Sequence, residues 1–252
     1  MQDNRIPYID MGSATIKLND DGFFNLLIGA TDIGQGSDTV LAQIAAEELG
    51  CEVKNIIVYS SDSDLTPFDT GAYASSTTYV SGNAVYKAAK KMRKKLVKEA
   101  AKALGVNKED IVFDGISFVA HDNAITINQL SNRLYYNEDQ KQLMVTASYV
   151  GTKSPPPFMA GFVEINIDKQ TCEIKVENYA SVVDCGVTIN PNLAKGQVEG
   201  AILQGLGMAL YEDVKITKKG KMITNDLLNY KVPTRLEVKH LMTEFIESYE
   251  TS

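Results

Sequence analysis

The sequence predicts an α+β fold with two α/β subdomains, in which hairpins and mixed sheets pack on long helices. Three observations support this class: strand-like runs joined by turn residues, amphipathic helical runs, and a proline-rich segment at 154–157. A chain of 252 residues is long enough to give each of two domains its own core. We therefore predict a first subdomain over residues 1–153 and a second over residues 154–252.

The first subdomain is expected to open with a hairpin and a helix. The residues Asn19-Asp20-Asp21-Gly22 are a strong hairpin signal between two β-like runs. Ser37 is the expected N-cap of the helix, and Gly50 can end it in a left-handed conformation. The elements predicted are, in order, strands at 14–18 and 23–28, a helix to about residue 49, a strand at 55–60, a long polar loop at 61–79, a helix from about Gly82 to Leu104, and short strands at 111–113, 116–120, 124–127 and 143–149.

The second subdomain repeats this order of elements. Strands are predicted at 162–167 and 173–183, and a third helix opens with Asn190 as N-cap and Pro191 at the first helical position. Short strands and loops are expected over 214–245. Because both halves run through a hairpin, a glycine-flanked turn and an amphipathic helix, the pattern indicates a duplicated α+β unit.

The composition limits the class of protein. A net charge of −7 would repel nucleic-acid phosphates, and the basic run at 87–98 is interpreted as a solvated helix face. Two histidines and three distant cysteines show no metal-binding or disulfide spacing, so we expect a metal only if another group carries it. No membrane-length apolar run and no signal peptide are visible, which predicts a cytoplasmic, reduced protein.

The first motif that could carry chemistry is the Gly34-Gln35-Gly36 turn at a helix start. Its glycines allow a ligand close to the backbone, its first-turn amides favour an anion such as phosphate, and Gln35 can donate and accept. The alternative is a turn that needs glycine only for its backbone angles. The spacing matches neither the dinucleotide fingerprint nor a phosphate-binding loop.

The second motif is the polar loop at 69–78, which contains Ala74, Ser75 and Ser76. Small residues and hydroxyls before a helix can surround a polar ligand with backbone amides and Oγ donors. The alternative is a capped helix entry, in which the hydroxyls satisfy only local backbone groups.

The third motif places Gly196, Gly200, Gln204 and Gly207 on one helix face, because they step by four, four and three residues. Each interior glycine costs about 1 kcal/mol relative to alanine, so several together indicate that something approaches that face closely. Gln204 is its polar group. The alternative is tight packing against another backbone.

These motifs, in this order, resemble the molybdenum hydroxylases, the xanthine dehydrogenase/aldehyde oxidase family, over nearly the whole chain. The segments that carry the resemblance are Thr31 to Thr39, Ala74 to Thr77, Gly82 to Val85, Ser154 to Phe158, Asp184 to Gly186, Ile189 to Pro191, Gly196 to Gly200, Gln204 to Gly207 and Asn229 to Thr234. Their linked order is specific, whereas any one of them alone would be weak.

The resemblance implies a molybdopterin cofactor, in its mononucleotide form or as the cytosine dinucleotide. The residues it implies for cofactor binding are Gly34, Gln35, Gly36, Ala74, Ser75, Ser76 and Gln204. The glycine–glutamine turn would contact the pterin or phosphate part, the Ala–Ser loop would lie near the metal, and Gln204 would hydrogen-bond the pterin. No residue of the chain is implied as a metal ligand.

Members of this family hydroxylate a carbon of a purine, an N-heterocycle or an aldehyde, and the cofactor carries the chemistry. The resemblance therefore implies a small-molecule substrate, the rest of a molybdenum subunit, and iron–sulfur and FAD-bearing subunits or domains as partners. The segment from Val198 to Gly207 looks most like xanthine dehydrogenases. No cysteine pattern in this chain fits an iron–sulfur cluster.

The sequence departs from the family at its ends. The family's general-base glutamate, in a Gly-x-Gly-Glu segment, is expected beyond Ser252, and the upstream half of the subunit is missing. We therefore expect a C-terminal part of a subunit that is inactive alone and contains no catalytic residue. The alternatives are a stand-alone, non-catalytic cofactor-binding or scaffold module, and a generic nucleotide-binding protein, which would lack every phosphate-loop signature.

Overall fold

The computed structural model describes residues 10–137, 140–152, 156–234, 236–238 and 240–248. The chain divides into two compact units, residues 1–155 and 156–252. Ser154 and Pro155, in the expected boundary segment, lie outside the described residues. The described residues form four α-helices and three sheets, which confirms the predicted α+β class. That the two units are two cofactor-binding subdomains stays a prediction.

The first unit is built on a four-stranded sheet. Its elements are β1 (Met11–Leu18), β2 (Phe24–Ile28), α1 (Ser37–Leu49), β3 (Ile56–Ser60), α2 (Thr77–Leu104), β4 (Val112–Phe113), β5 (Ser117–Ala120), β6 (Asn123–Thr126), α3 (Ile127–Tyr136) and β7 (Met144–Val150). The sheet order is β3-β2-β1-β7, with β1 antiparallel to both neighbours and β2 parallel to β3. Strands β4 to β6 form a small antiparallel sheet.

The core of the first unit lies between its main sheet and helices α1 and α2. Alternate residues of β1, such as Ile16 and Leu18, point inward and are at most 1% exposed. Met92 and Leu96, four residues apart on α2, are equally buried. This burial holds the loops that follow β2 and β3 on a rigid base.

Lysines of α2 cover the outer margin of β7. Leu18 N donates to Leu143 O, so the carbonyls of Met144 and Thr146 face away from β1. Lys95 Nζ donates to Met144 O at 3.1 Å, and Lys91 Nζ donates to Thr146 O at 3.0 Å. Part of the basic run at 87–98 therefore has a structural role.

The second unit contains a three-stranded sheet and one long helix. Its elements are β8 (Phe158–Ile167), β9 (Ile174–Asp184), α4 (Pro191–Leu210) and β10 (His240–Phe245). The sheet order is β10-β9-β8, with β8 antiparallel and β10 parallel to β9. Every residue of β8 is exposed.

Both units contain the same arrangement of elements. In the first, the hairpin β1-β2 is followed by α1 and then by β3, which is parallel to β2. In the second, the hairpin β8-β9 is followed by α4 and then by β10, which is parallel to β9. The repeated order of elements indicated by the sequence is thus present in the strand topology of both units.

Two helix predictions were wrong in detail, and one helix was not predicted. Gly36, not Ser37, is the N-cap of α1, because Ser37 already has helical geometry. Helix α2 begins at Thr77 rather than near Gly82, since Val80 and Ser81, which precede Gly82, are already buried in the packing. Helix α3 was missed, although Thr126 and Gln129 form a complete capping box at its start.

Candidate functional site

The turn that leads into α1 is organised by the carboxylate of Asp32. Its Oδ1 accepts hydrogen bonds from Gly34 N at 2.9 Å and from Gly36 N at 3.2 Å. Its Oδ2 accepts one from Asp38 N at 3.2 Å. These bonds, led by that from Gly34, hold the pKa of Asp32 below its usual range. The amides expected to be free for an anion are therefore already occupied.

The Gln35 side chain is bonded to its own turn. Its Nε2 donates to Thr31 O at 3.0 Å, and its Oε1 accepts from Ile33 N at 2.6 Å. The backbone beside it is open, because a Cβ added at Gly34, which has φ +103°, would meet no atom of the described residues within 4 Å. A ligand can thus approach the turn at Gly34, and it can pair with Gln35 only by replacing one of these bonds.

The loop before α2 holds two residues in a costly conformation. Ala74 and Ser75 are exposed and have φ of 51° and 53°. Left-handed geometry at residues with a Cβ is uncommon and concentrates at binding and active sites. An added Cβ on Gly71, at φ +116°, would meet no atom within 4 Å in the described parts of the chain. The exposed face of this loop is therefore open and conformationally defined.

One side-chain hydrogen bond closes this loop on itself, and two more fix it to α2 and to the residue before β1. Asp69 Oδ1 accepts from Gly71 N at 2.9 Å, and its Oδ2 accepts from Ser81 Oγ at 2.6 Å. Thr70 Oγ1 donates to Asp10 Oδ1 at 2.6 Å. Because Asp10 is only 1% exposed, this last bond anchors the loop in the interior.

Two glycines, one in β1 and one directly after β2, allow the close packing. A Cβ on Gly29 would lie 2.3 Å from Pro67 O, and one on Gly12 would lie 2.8 Å from Ser81 Cα. Any side chain at Gly29 would push the loop away from the sheet.

The N-terminus of α2 keeps its first-turn amides without a side-chain cap. Ser76 is the N-cap and is 2% exposed, but its Oγ donates to Tyr73 O at 3.1 Å instead of accepting from the helix. The first turn contains no acidic residue. The hydroxyl of Ser76 thus satisfies local backbone, while the amides of Thr77 and Thr78 have no intrahelical acceptor.

One orphaned hydroxyl lies next to the Gly34–Gly36 turn. Ser37 Oγ is buried and has no hydrogen-bond partner among the described residues, and the same holds for Asp38 Oδ1. Buried polar atoms are seldom left without a hydrogen-bond partner. Two such atoms beside an open glycine turn therefore fit a site in which a polar ligand provides the missing hydrogen bonds.

Gln204 lies in the other unit, on α4. It is exposed, and among the described residues an added Cβ on Gly196 or Gly200 would meet no atom within 4 Å, whereas one on Gly207 would lie 2.8 Å from Pro233 Cδ. The opposite face carries Ile202, 7% exposed, as predicted. The alternative of tight packing therefore holds at Gly207, where the neighbour is a proline side chain, and does not account for Gly196 or Gly200. The predicted convergence of Gln204 with Gln35 and Ser75 stays a prediction.

The donor set suits an organic ligand better than a bare metal ion. Within the described residues no three His, Cys, Asp or Glu side chains form a metal-binding group. Burial raises the pKa of Cys51 to about 11, which keeps its thiol protonated. Backbone amides, hydroxyls and carboxamides match the ring edges and the phosphate of molybdopterin, so the residues present fit that cofactor.

No helix in the described parts is long and apolar enough to cross a membrane.

Sequence reasoning missed the aspartates that shape these turns. Asp32, Asp69 and Asp184 each accept a hydrogen bond from the amide of a glycine two residues later, at 2.9, 2.9 and 3.2 Å. The signal was present as a recurrent Asp-x-Gly pattern, which is typical of turns closed by an aspartate side chain.

Comparison with known proteins identifies the family. Residues 3–239 match the model of the molybdopterin cofactor-binding domain. The chain is 34% identical to the xanthine dehydrogenase molybdenum-binding subunit of Escherichia coli O157:H7, over 96% of this chain and 33% of that protein. It is 33% identical to the nicotine 6-hydroxylase large subunit of Paenarthrobacter nicotinovorans, over 92% of this chain and 30% of that protein.

A solved structure has the same fold, and this chain again matches about a third of its length. Quinoline 2-oxidoreductase from Pseudomonas putida 86 superposes with a TM-score of 0.87 at 26% identity, and the match covers 96% of this chain and 32% of that one. The chain thus spans about a third of the relatives it matches. With a family model covering most of its length, this chain belongs to the molybdopterin cofactor-binding domains of the molybdenum hydroxylase family.

Proposed function

We propose that the Gly34–Gly36 turn, the Ala74–Ser76 loop and Gln204 form part of the wall of a molybdopterin site. The observation that carries this proposal is the left-handed pair Ala74 and Ser75, held open to solvent by anchored neighbours. Such preformed strain is typical of ligand-binding loops. The open approach at Gly34 and the uncapped start of α2 support it from the same unit.

The activity we propose is that of a molybdenum hydroxylase acting on a purine, an N-heterocycle or an aldehyde. The names of two relatives, a xanthine dehydrogenase subunit and a nicotine 6-hydroxylase subunit, support the purine and the N-heterocycle, and among these we propose a xanthine dehydrogenase-like activity. The cofactor, in its mononucleotide or cytosine dinucleotide form, supplies the redox chemistry when bound. The residues of this chain bind and orient it, and we propose that they do not turn over substrate without the rest of the subunit.

The first partner we propose is the remaining part of the molybdenum subunit. Strand β8 supports this because Phe158 and Phe162 are 60% and 68% exposed on a strand that is open along its whole length. Contiguous exposed apolar residues mark interaction surfaces. Iron–sulfur and FAD-bearing subunits in a cytoplasmic complex complete the proposal.

The test is expression of the full-length subunit, followed by molybdenum and pterin analysis and by hydroxylation assays with xanthine and an aldehyde. Gln204→Ala should lower molybdenum content or turnover roughly five- to tenfold, the effect of one lost hydrogen bond. Gln142→Ala, at an exposed residue of the other unit, is the matched control. Unchanged metal content and rate in Gln204→Ala would remove the role of that residue. Bound cofactor without any turnover would favour a non-catalytic binding module.

A further inference from the structure

The N-terminus of α1 contains an anion supplied by the chain itself. The amides of Gly34, Gly36 and Asp38 surround the Asp32 carboxylate at 2.9 to 3.2 Å. These are the donors with which a helix N-terminus would otherwise bind a phosphate. The position that phosphate would take is therefore filled.

A second carboxylate adds to the negative charge at this helix start. Asp38 lies in the first turn of α1, and its Oδ2 accepts from Ser60 Oγ at 3.0 Å. A phosphate that approached the turn would meet two carboxylates close together, and like charges at this range repel. The partial positive charge of the helix end is already neutralised by Asp32 and Asp38.

The start of α2 shows the opposite arrangement within the same unit. No acidic residue stands in its first turn, and Ser76 does not cap its amides. The two helix starts thus differ in what they can accept: α1 is closed to anions, whereas α2 is not.

We propose that Asp32 is a specificity-determining residue that acts as an internal anion. It occupies the amides of the turn, so the turn takes a neutral, hydrogen-bonding part of its ligand and excludes phosphate. Asp32 also positions Gly34 and Gly36, whose amides it fixes. That the neutral part is the pterin ring system rests on the proposed function, whereas the exclusion of phosphate does not.

The experiment is a titration of the 15N-labelled chain with inorganic phosphate, at an ionic strength matched with sodium chloride. In the unaltered chain the amide signals of Gly34, Gly36 and Asp38 should show no saturable shift. In Asp32→Ala they should shift saturably, with half-saturation at a phosphate concentration roughly tenfold below the highest one at which the unaltered chain still shows no saturation. A saturable shift in the unaltered chain would overturn the proposal.

Asp114→Ala is the matched control. Asp114 also accepts from two backbone amides, those of Ile116 and Ser117, and its loss changes the net charge by the same amount, but no helix follows it. It should gain no phosphate response at the α1 turn. If Asp32→Ala fails to fold by circular dichroism, Asp32→Asn keeps one acceptor oxygen and should still gain a response at Asp38. An equal phosphate response at the α1 turn in the Asp32 and Asp114 variants would contradict the proposal.

A second measurement tests the neutral ligand. In the full-length subunit, Asp32→Ala should hold less pterin than Asp114→Ala, although its turn now accepts phosphate. Equal or higher pterin content would overturn the assignment. A full-length subunit that binds no molybdopterin at all would remove the proposed function and leave the phosphate result standing, so the two failures are distinguishable.

Discussion

The two units contain the same hairpin–helix–strand arrangement but bury it to very different extents. In the first unit, Ile16 and Leu18 of β1 are at most 1% exposed, because α2 packs on β1 and β7. In the second unit, Phe158 and Phe162 of the corresponding strand β8 are 60% and 68% exposed. The topology therefore sets which strands pair, and the additional elements decide whether the paired strands form a core.

The largest expected effect comes from truncating one apolar side chain in each unit, a buried one in the first and an exposed one in the second. Leu96→Ala, on α2, should destabilise the first unit by about 2–5 kcal/mol, because it leaves a cavity in a packed core. Phe162→Ala, on β8, should change stability by roughly 0.5 kcal/mol or less, as at other exposed sites. Hydrogen exchange resolved by unit measures both. Similar losses in the two variants would contradict the comparison.

The next effect concerns the loop at 61–76 of the first unit. This loop joins β3 to α2 and is anchored through Thr70. Thr70→Val should cost about 1–3 kcal/mol locally, since the buried Asp10 carboxylate loses its partner. Faster hydrogen exchange over residues 61–76 would report it.

The control for the loop is Thr66→Val. The Thr66 hydroxyl donates to Asp62 O in an exposed part of the same loop. Its loss should leave exchange at 69–76 unchanged, and an equal effect of both variants would argue against anchoring through Asp10.

A smaller effect compares how the two repeats begin their helices. Asp32 caps α1 from four residues upstream of Gly36, whereas Asn190 caps α4 by accepting from Leu193 N at 3.1 Å. Asp32→Asn and Asn190→Ala should each cost about 1 kcal/mol near neutral pH. Thermal unfolding followed by circular dichroism measures these costs.

The two caps should differ in their response to acid. The pKa of Asp32 is lowered in the folded state, so its contribution is present above its unfolded pKa of about 3.9 and is lost as the pH falls through the folded value. The difference between Asp32→Asn and the unaltered chain should therefore shrink below pH 4, while the cost of Asn190→Ala should not. Parallel pH profiles would show that Asp32 is uncharged or unbonded.

The smallest effect separates two glycines of α4. Gly200→Ala should stabilise the chain by up to about 1 kcal/mol, because its added methyl group meets no atom within 4 Å. Gly207→Ala should destabilise it, since its Cβ would lie 2.8 Å from Pro233 Cδ. A lower melting temperature for Gly200→Ala would mean that the open glycine face is already covered.

Features encoded by short segments were predictable from the sequence. The Asn190-Pro191 start of α4 and the Gly50 end of α1 depend on one or two residues each, and both are present. The exposure of β8 was not predictable, because its apolar sequence reads like that of a buried strand, and burial depends on what else covers it. Of the candidate site, the sequence located the turns, but not the internal bonds of Asp32 and Gln35 that decide which donors remain available.

The lysines along β7 have a consequence for self-association. A foreign strand that tried to extend the first sheet past β7 would need the carbonyls of Met144 and Thr146, and the ammonium groups of Lys95 and Lys91 already hold them. Addition of strands at that edge, as in fibril growth, would first require breaking the two hydrogen bonds that these lysines donate. Helix α2 thus packs on the inner face of the sheet and also blocks its β7 edge against pairing with another chain.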